Sequence, residues 1–170
     1  EIELTGNQGC SVAHCPSSNL KLANGFSPVS SLLRQGVNVG LGTDGAASNN
    51  RLDMFEEMRL VALLAKGQSN RADELPAYQA LQMATLNSAK ALGLGDRIGS
   101  LVKGKMADIA AVDFSAPELS PCYDPVSHLV YSAGREHVSH VWVDGKILVK
   151  EGKLTTLNEQ EILAKALFWE

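Results

Sequence analysis

Cysteine, aromatic side chains and long apolar runs are all scarce in this chain of 170 residues. Three cysteines cannot form a closed set of disulfides, which argues against a disulfide-stapled secreted domain and leads us to expect a reducing cytoplasm. No apolar stretch approaches the roughly 18 residues that a membrane-spanning helix needs. Basic side chains number 15 against 19 acidic ones and form no stripe, so we expect neither a membrane nor a nucleic acid as partner.

The first residues also lack a start methionine, a charged leader and an apolar signal core. They read Glu1-Ile2-Glu3-Leu4, which is typical of the end of a helix. The overall length and a hydrophobic content of 45% suit one globular domain or one piece of a larger one. We therefore expect the chain to be the C-terminal part of a longer protein.

The first half of the chain alternates strand-like and helix-like segments. Residues 10–14 and 37–42 are short apolar runs that predict strands, and Pro28 opens a predicted helix between them that ends at Gly36. Residues 17–28 are polar, contain glycine and are predicted as a loop. A strand, a helix and a second strand form a βαβ unit, whose two strands pair in parallel. The sequence therefore predicts an α/β fold here.

Further helices follow the second predicted strand and complete an α/β part over residues 1–94. The longest has apolar residues at helical spacing, a cap from Asn49 or Asn50, and an end at Gly67. The predicted helices span 51–66, 76–84 and 88–92. The acidic residues assigned to the polar side of the longest helix are Asp53, Glu56 and Glu57.

Residues 95–156 are rich in turns and predict mostly β-structure. Residues 107–113 are strand-like, and residues 138–149 predict a hairpin around an Asp-Gly turn. Asn158, with a glutamate three residues later, resembles a capping box that opens a terminal helix over 157–170. The chain thus divides into an α/β part, a β-rich part and a final helix.

Asp44 is the strongest candidate for chemistry. It follows directly after a predicted strand, in a loop of small residues that leads into a helix. Ligands collect at the carboxyl ends of parallel strands, where a carboxylate can hold a metal and accept a proton from the water bound to it. The alternative is an aspartate that only holds a turn or caps the following helix.

Three other polar residues lie at comparable positions. His14 ends the first predicted strand beside two cysteines, but the spacing fits no zinc motif, and a hydrogen bond to a neighbouring loop is the simpler interpretation. Whether His14 faces the same cleft as Asp44 stays open. Ser48 and Asn49 either contact a substrate or cap the following helix, and capping is the default for these residue types.

Several segments together resemble a known family. Residues 12–22 read VAHCPSSNLKL and residues 41–50 read LGTDGAASNN; segments at 54–59, 98–108 and 124–131 agree with the same family in the same order. These segments resemble the amidohydrolase superfamily and, within it, the 5′-methylthioadenosine/S-adenosylhomocysteine deaminases. The resemblance extends over essentially the whole chain.

The resemblance implies a (β/α)8 barrel that carries a small β-sandwich domain. Residues 1–94 would supply the last barrel strands and helices, and residues 95–156 the C-terminal share of the sandwich. The family holds one divalent metal, usually zinc or iron, and Asp44 matches its aspartate ligand, which also accepts and delivers protons. Ser48 matches a loop position that faces the nucleoside, and His14 would contact the substrate or support the loops around it.

The reaction implied is hydrolytic deamination of 5′-methylthioadenosine or S-adenosylhomocysteine at the adenine C6, which gives an inosine-type product and ammonia. The other metal ligands of the family lie upstream of the matched text, so we expect this chain alone to be inactive, with unpaired strand edges. Its partner would be a small nucleoside, and homo-oligomerisation of the complete enzyme stays open. The alternatives are a guanine or cytosine deaminase, a triazine hydrolase, a metal-free scaffold derived from the barrel, and a free-standing binding module.

Overall fold

Two β-sheets organise the chain in the computed structural model, which describes residues 1–169. In the first sheet, β1 (Ser11–His14) and β2 (Asn38–Leu41) pair in parallel, with His14 opposite Leu41. The second sheet is antiparallel, in the order β3-β4-β5-β6. Its strands are β3 (Ile109–Val112), β4 (Val138–Val143), β5 (Lys146–Lys150) and β6 (Lys153–Leu154). The fold is therefore mixed α/β, and the predicted parallel pairing of the first two strands is confirmed.

Helices surround the first sheet and connect it to the second. They are α1 (Ile2–Asn7), α2 (Pro16–Lys21), α3 (Val29–Arg34), α4 (Ala46–Asn49), α5 (Met54–Ser69), α6 (Ala77–Gln82), α7 (Ser88–Ala91), α8 (Pro125–Tyr131) and α9 (Glu159–Ala166). A π-helical turn, Met83–Asn87, joins α6 to α7, and short 3-10 turns lie at Pro117–Leu119, Arg135–His137 and Leu167–Trp169. No helix among residues 1–169 has both the length and the apolar character to cross a membrane.

The prediction of a loop over residues 17–28 is wrong for the first half of that segment, because α2 occupies it. Pro16 takes the first helical position, where its missing N–H costs nothing. The sequence Ser17-Ser18-Asn19 that follows is typical of a turn when it is considered alone. The backbone N–H of Ser17 finds its acceptor on Glu57, 40 residues away, so a contact outside the local sequence satisfies the start of this helix.

The longest helix, α5, begins and ends later than predicted. Its cap is Asp53 and not Asn49 or Asn50, because the Asp53 carboxylate accepts hydrogen bonds from two N–H groups of the first turn. Gly67 lies within α5, which ends instead at Asn70 in a left-handed conformation. Glu57, predicted on the solvent side, is fully buried.

The two helices predicted over 76–84 and 88–92 form one continuous helical stretch, because the π-helical turn joins them. This turn presents Asn87 and Ser88 to β2. The Ser88 hydroxyl bonds both the N–H and the carbonyl of Leu41, and the Asn87 amide donates to the carbonyl of Val39. The expectation of unpaired strand edges is therefore wrong for this edge of β2, since side chains satisfy its backbone groups.

The hydrophobic core lies between the first sheet and the helices α3, α5 and α6. Each large apolar side chain in it contributes about 1.5–3 kcal/mol to folding through its removal from water. The core residues are Val29, Leu32, Val37, Val39, Leu41, Met58, Val61, Ala62, Ala65, Leu75, Ala80, Met83 and Val130. This packing fixes the ends of β1 and β2 side by side.

The β-rich part contains the predicted hairpin, with β4 and β5 joined at Asp144 and Gly145. Both turn residues have positive φ, 50° and 74°, as a two-residue hairpin turn requires. The predicted cap of the last helix is confirmed, because the Asn158 side chain accepts from two N–H groups of α9. The sequence did not predict α8 or β6; the final position of the predicted terminal helix, residue 170, lies outside the described residues.

Candidate active site

Asp44 lies in the loop that joins β2 to α4. Its backbone is left-handed, with φ of 62°, a conformation that non-glycine residues adopt rarely and aspartate more readily than most. The Thr43 hydroxyl donates to the Asp44 carbonyl at 2.9 Å. Gly45, and not Asp44, is the N-cap of α4, so the alternative of a helix-capping aspartate does not describe this residue. The side chain is exposed at the carboxyl end of β2.

Three donors hold the Asp44 carboxylate. Oδ2 accepts from the hydroxyls of Ser18 and Ser48, both at 2.7 Å, and Oδ1 accepts from the Gly45 N–H at 2.7 Å. These hydrogen bonds, that of Ser18 first, lower the pKa of Asp44 below its ordinary value. The lowered pKa keeps the Asp44 carboxylate ionised at neutral pH. A carboxylate has about four lone-pair sites, and the three hydrogen bonds occupy three of them, which leaves one site on Oδ1.

The two serines reach Asp44 from different elements. Ser48 lies in α4, where either substrate contact or helix capping was predicted; it caps no helix and bonds Asp44 instead. Its hydroxyl has a second acceptor in the Gly45 carbonyl at 3.1 Å. Ser18 lies in α2; the sequence does not single it out, because its segment is predicted as a loop. Ser18 could have been predicted from its position, because it lies just after β1 at the same edge of the sheet as Asp44.

A half-buried asparagine, Asn49, and a buried glutamate, Glu57, lie beneath this loop. The Asn49 amide donates to the Thr43 carbonyl at 2.8 Å and to Glu57 Oε1 at 2.7 Å. The other oxygen of Glu57 accepts from the Ser17 N–H at 3.0 Å. The predicted capping of α5 by Asn49 is wrong, and so is the predicted solvent position of Glu57, whereas a substrate contact of Asn49 stays a prediction.

The His14 side chain is not part of the hydrogen-bonded cluster around Asp44. It is only 5% exposed and shares a strand face with Val12, which packs against the core. It lines a cavity of about 180 Å³ among residues of α2, α3 and α5, and the lining includes neither Asp44 nor Ser48. Burial lowers the pKa of His14 from 6.5 to about 4, so the ring is neutral near pH 7. Its predicted substrate contact stays a prediction.

Cys15 and Asp44 are neighbours in space, yet they do not form a metal site. Burial, with added repulsion from the charges of Asp44 and Glu57, raises the pKa of the Cys15 thiol. The Cys15 thiol is therefore protonated at neutral pH. Within residues 1–169, no group of three His, Cys, Asp or Glu side chains could hold a metal ion. A zinc site takes at least three protein ligands, so the described residues do not form one by themselves.

The sequence profile described as "Amidohydrolase family" matches residues 1–148. This chain belongs to the amidohydrolase family. The match covers the first sheet, the Asp44 loop and the second sheet as far as β5. The aspartate at the end of β2 is thus part of an amidohydrolase architecture.

Named relatives of this amidohydrolase act on purine nucleosides and on triazines. The "5-methylthioadenosine/S-adenosylhomocysteine deaminase" of Teredinibacter turnerae is 52% identical over 99% of the chain, which spans 38% of that relative. An adenosine deaminase from Xanthomonas campestris, solved with bound zinc, superposes with a TM-score of 0.96 at 49% identity, again over 99% of this chain and 38% of the other. The zinc-complexed atrazine chlorohydrolase of Arthrobacter aurescens gives 0.92 at 30% identity, over 99% and 37%.

The chain therefore spans well under half the length of these relatives. Both solved structures contain zinc. The residues present fit that metal in part, because an ionised and oriented carboxylate with a free lone-pair site is a suitable zinc ligand.

Proposed function

We propose that this amidohydrolase chain acts within a longer enzyme that hydrolytically deaminates 5′-methylthioadenosine or S-adenosylhomocysteine. The observation that carries the proposal is the Asp44 carboxylate, fixed by two serine hydroxyls at the end of β2. The high identity to a deaminase of this specificity over nearly the whole chain supports the substrate class. The reaction replaces the amine at the adenine C6 with oxygen from water and releases ammonia.

The proposed setting is a (β/α)8 barrel with a small β-sandwich domain. The parallel pair β1–β2 and its helices, residues 1–94, suit the last strands of such a barrel. The antiparallel sheet β3–β6, within residues 95–156, suits a share of the sandwich, and residues 157–170 would be a terminal helix. Asp44 would then lie at the carboxyl ends of the barrel strands, where barrel active sites occur.

Asp44 would hold the metal through the free site on Oδ1. When bound, a divalent metal, zinc or iron, supplies a Lewis acid that lowers the pKa of a coordinated water toward neutrality. Ser18 and Ser48 keep the carboxylate ionised and pointed in one direction before any ligand arrives. This chain would provide one metal ligand. The other ligands of the proposed enzyme would come from polypeptide upstream of the segments that match the family.

Asp44 would also move the proton of the attacking water. Its Oδ2 accepts two hydroxyl hydrogen bonds and has no free site while both persist. The Ser48 hydroxyl can turn to the Gly45 carbonyl, 3.1 Å away, which frees a site on Oδ2 for that proton. The same oxygen can then return the proton to the departing amine. Ser48 is also the proposed contact to the nucleoside, and His14 a proposed contact or loop support.

Purification of the complete enzyme with zinc, followed by product analysis, tests the proposal. We expect inosine-type product and ammonia from 5′-methylthioadenosine, and slower or no turnover of guanine and atrazine. Asp44→Asn should lower kcat/KM at least about a thousandfold, equivalent to about 4 kcal/mol, and deplete bound zinc. Asp73→Asn is the matched control, because Asp73 is an exposed partner of Arg71. Absence of adenosine-type deamination, or full activity in Asp44→Asn, would overturn the proposal.

Two alternatives have their own outcomes in the same experiment. Faster turnover of a triazine would favour the hydrolase specificity of the more distant solved relative. A well-folded complete protein that binds no zinc would favour a scaffold role. The ionised carboxylate at the strand end argues against the scaffold, because an aspartate without a ligand has no need of three aligned donors.

A further inference from the structure

Glu57 is a fully buried carboxylate in α5, with 0% of the residue exposed. Each oxygen accepts one hydrogen bond from a neutral donor, Oε1 from the Asn49 amide and Oε2 from the Ser17 N–H. No Lys, Arg or His nitrogen in the described part of the chain lies within ion-pair distance of it. Burial of a carboxylate without a cation costs several kcal/mol, so a glutamine or an apolar residue would be cheaper for packing alone.

The two contacts of Glu57 reach the two segments that orient Asp44. Ser17 is the residue before Ser18, and Asn49 is the residue after Ser48. The Asn49 amide also donates to the carbonyl of Thr43, directly before Asp44. One carboxylate thus fixes the backbone beside both hydroxyl donors.

We propose that Glu57 is a positioning residue for the deamination reaction, acting through Ser17 and Asn49 to hold both serine hydroxyls on Asp44. The proposal rests on the proposed function, in which Asp44 holds the metal. Glu57 itself contacts neither substrate nor metal.

A purely structural role would look different. To satisfy the first turn of α2 would require one oxygen, and an amide side chain supplies one as well as a carboxylate does. Glu57 instead divides its two oxygens between α2 and the last residue of α4. The two donors lie on different oxygens of Glu57, an arrangement that needs two acceptor atoms and that a carboxylate provides.

Glu57→Gln in the complete zinc-loaded enzyme tests this proposal. Glutamine offers one acceptor and one NH2 group, so one of the two donors faces another donor and loses its partner. We expect kcat to fall about 10–100-fold, zinc to dissociate about 10–100-fold faster, and KM to stay within about twofold. Glu56→Gln is the control, because it makes the same change one residue earlier, on a partly exposed side chain paired with Arg59, and should alter none of these values.

Asn49→Ala provides a second variant in case Glu57→Gln fails to fold. It keeps the contact of Glu57 to α2 and removes the contacts toward the Asp44 loop, together with the two hydrogen bonds that Asn49 Oδ1 accepts from the N–H groups of Arg51 and Leu52. We expect the same fall in kcat and the same faster zinc release. Where both variants fold, the double variant should lose no more than about the larger single loss, because both changes interrupt one connection.

Unchanged kcat and unchanged zinc dissociation in folded variants, with only a lower melting temperature, would overturn the proposal in favour of a structural role. Fully additive losses in the double variant would also overturn it. If the complete enzyme deaminates no adenine nucleoside, the proposed function fails. The zinc dissociation rate of Glu57→Gln against Glu56→Gln still decides the positioning role in that case, since it requires no turnover.

Discussion

Ser18 Oγ lies 2.7 Å from Asp44 Oδ2, although 26 residues separate the two in the chain. The first residue belongs to the helix after β1 and the second to the loop after β2, so the parallel pairing of the strands brings them together. The hydroxyl lowers the pKa of the carboxyl and fixes its direction. Neighbours from the chain itself therefore keep the Asp44 carboxylate ionised and fixed in one direction.

Loss of either serine hydroxyl should weaken the proposed deaminase. Ser18→Ala and Ser48→Ala each remove one hydrogen bond to an ionised oxygen of Asp44. We expect kcat/KM of the complete enzyme to fall at least about tenfold for each, with little change in melting temperature for Ser48→Ala. Ser69→Ala is the control, because its hydroxyl bonds only the Lys66 carbonyl at the end of α5. Activity that is insensitive to both serines would remove them from the site.

The stability of the folded protein should depend on pH through His14. Its pKa is about 4 when folded and 6.5 as the ordinary value, so the unfolded chain binds more protons between those two values. Stability is therefore complete above pH 6.5 and falls as the pH is lowered toward 4, with a slope that approaches about 1.4 kcal/mol per pH unit. Melting temperatures of the complete protein at a series of pH values measure this. His14→Gln should flatten the profile in that window, and an unchanged profile would contradict the burial argument.

Gly40 should tolerate no side chain. A Cβ at this position would lie 2.9 Å from the Ser88 Cα and 2.8 Å from its Oγ. Gly40→Ala should therefore lower the free energy of unfolding by about 1–3 kcal/mol. Gly67→Ala, within α5 and with open space around it, should instead raise stability by about 0.5–1 kcal/mol because alanine favours helix. Urea unfolding compares the two, and equal effects would contradict the close packing of β2 on α7.

The cap of α5 should matter for stability. Asp53→Ala leaves the N–H groups of Phe55 and Glu56 without an acceptor and should cost about 1 kcal/mol, within a range of about 0.5–2. Asp53→Asn retains an acceptor oxygen and should recover most of that loss. Chemical denaturation of both variants provides the measurement, and a larger loss from asparagine than from alanine would be inconsistent with capping.

Patterns local in sequence predicted the parallel strand pair, the Asp-Gly hairpin and the position of Asp44 in the loop after a strand, because apolar runs and turn dipeptides act over a few residues. The remaining parts of the site depend on contacts across the fold. The start of α2 is satisfied by Glu57, 40 residues away, so its sequence alone is turn-like. Glu57 itself was assigned to solvent because a carboxylate is usually exposed, and only the positions of Ser17 and Asn49 explain its burial.

The side chains of Asn87 and Ser88 on the edge of β2 carry a consequence for solubility. An open strand edge recruits strands from other molecules, whereas this one presents donors and acceptors that are already occupied. A mutation that removed both side chains would expose the Val39 and Leu41 backbone to intermolecular β-pairing. The helical stretch after α5 thus occupies backbone groups of β2 that would otherwise be open to intermolecular β-pairing.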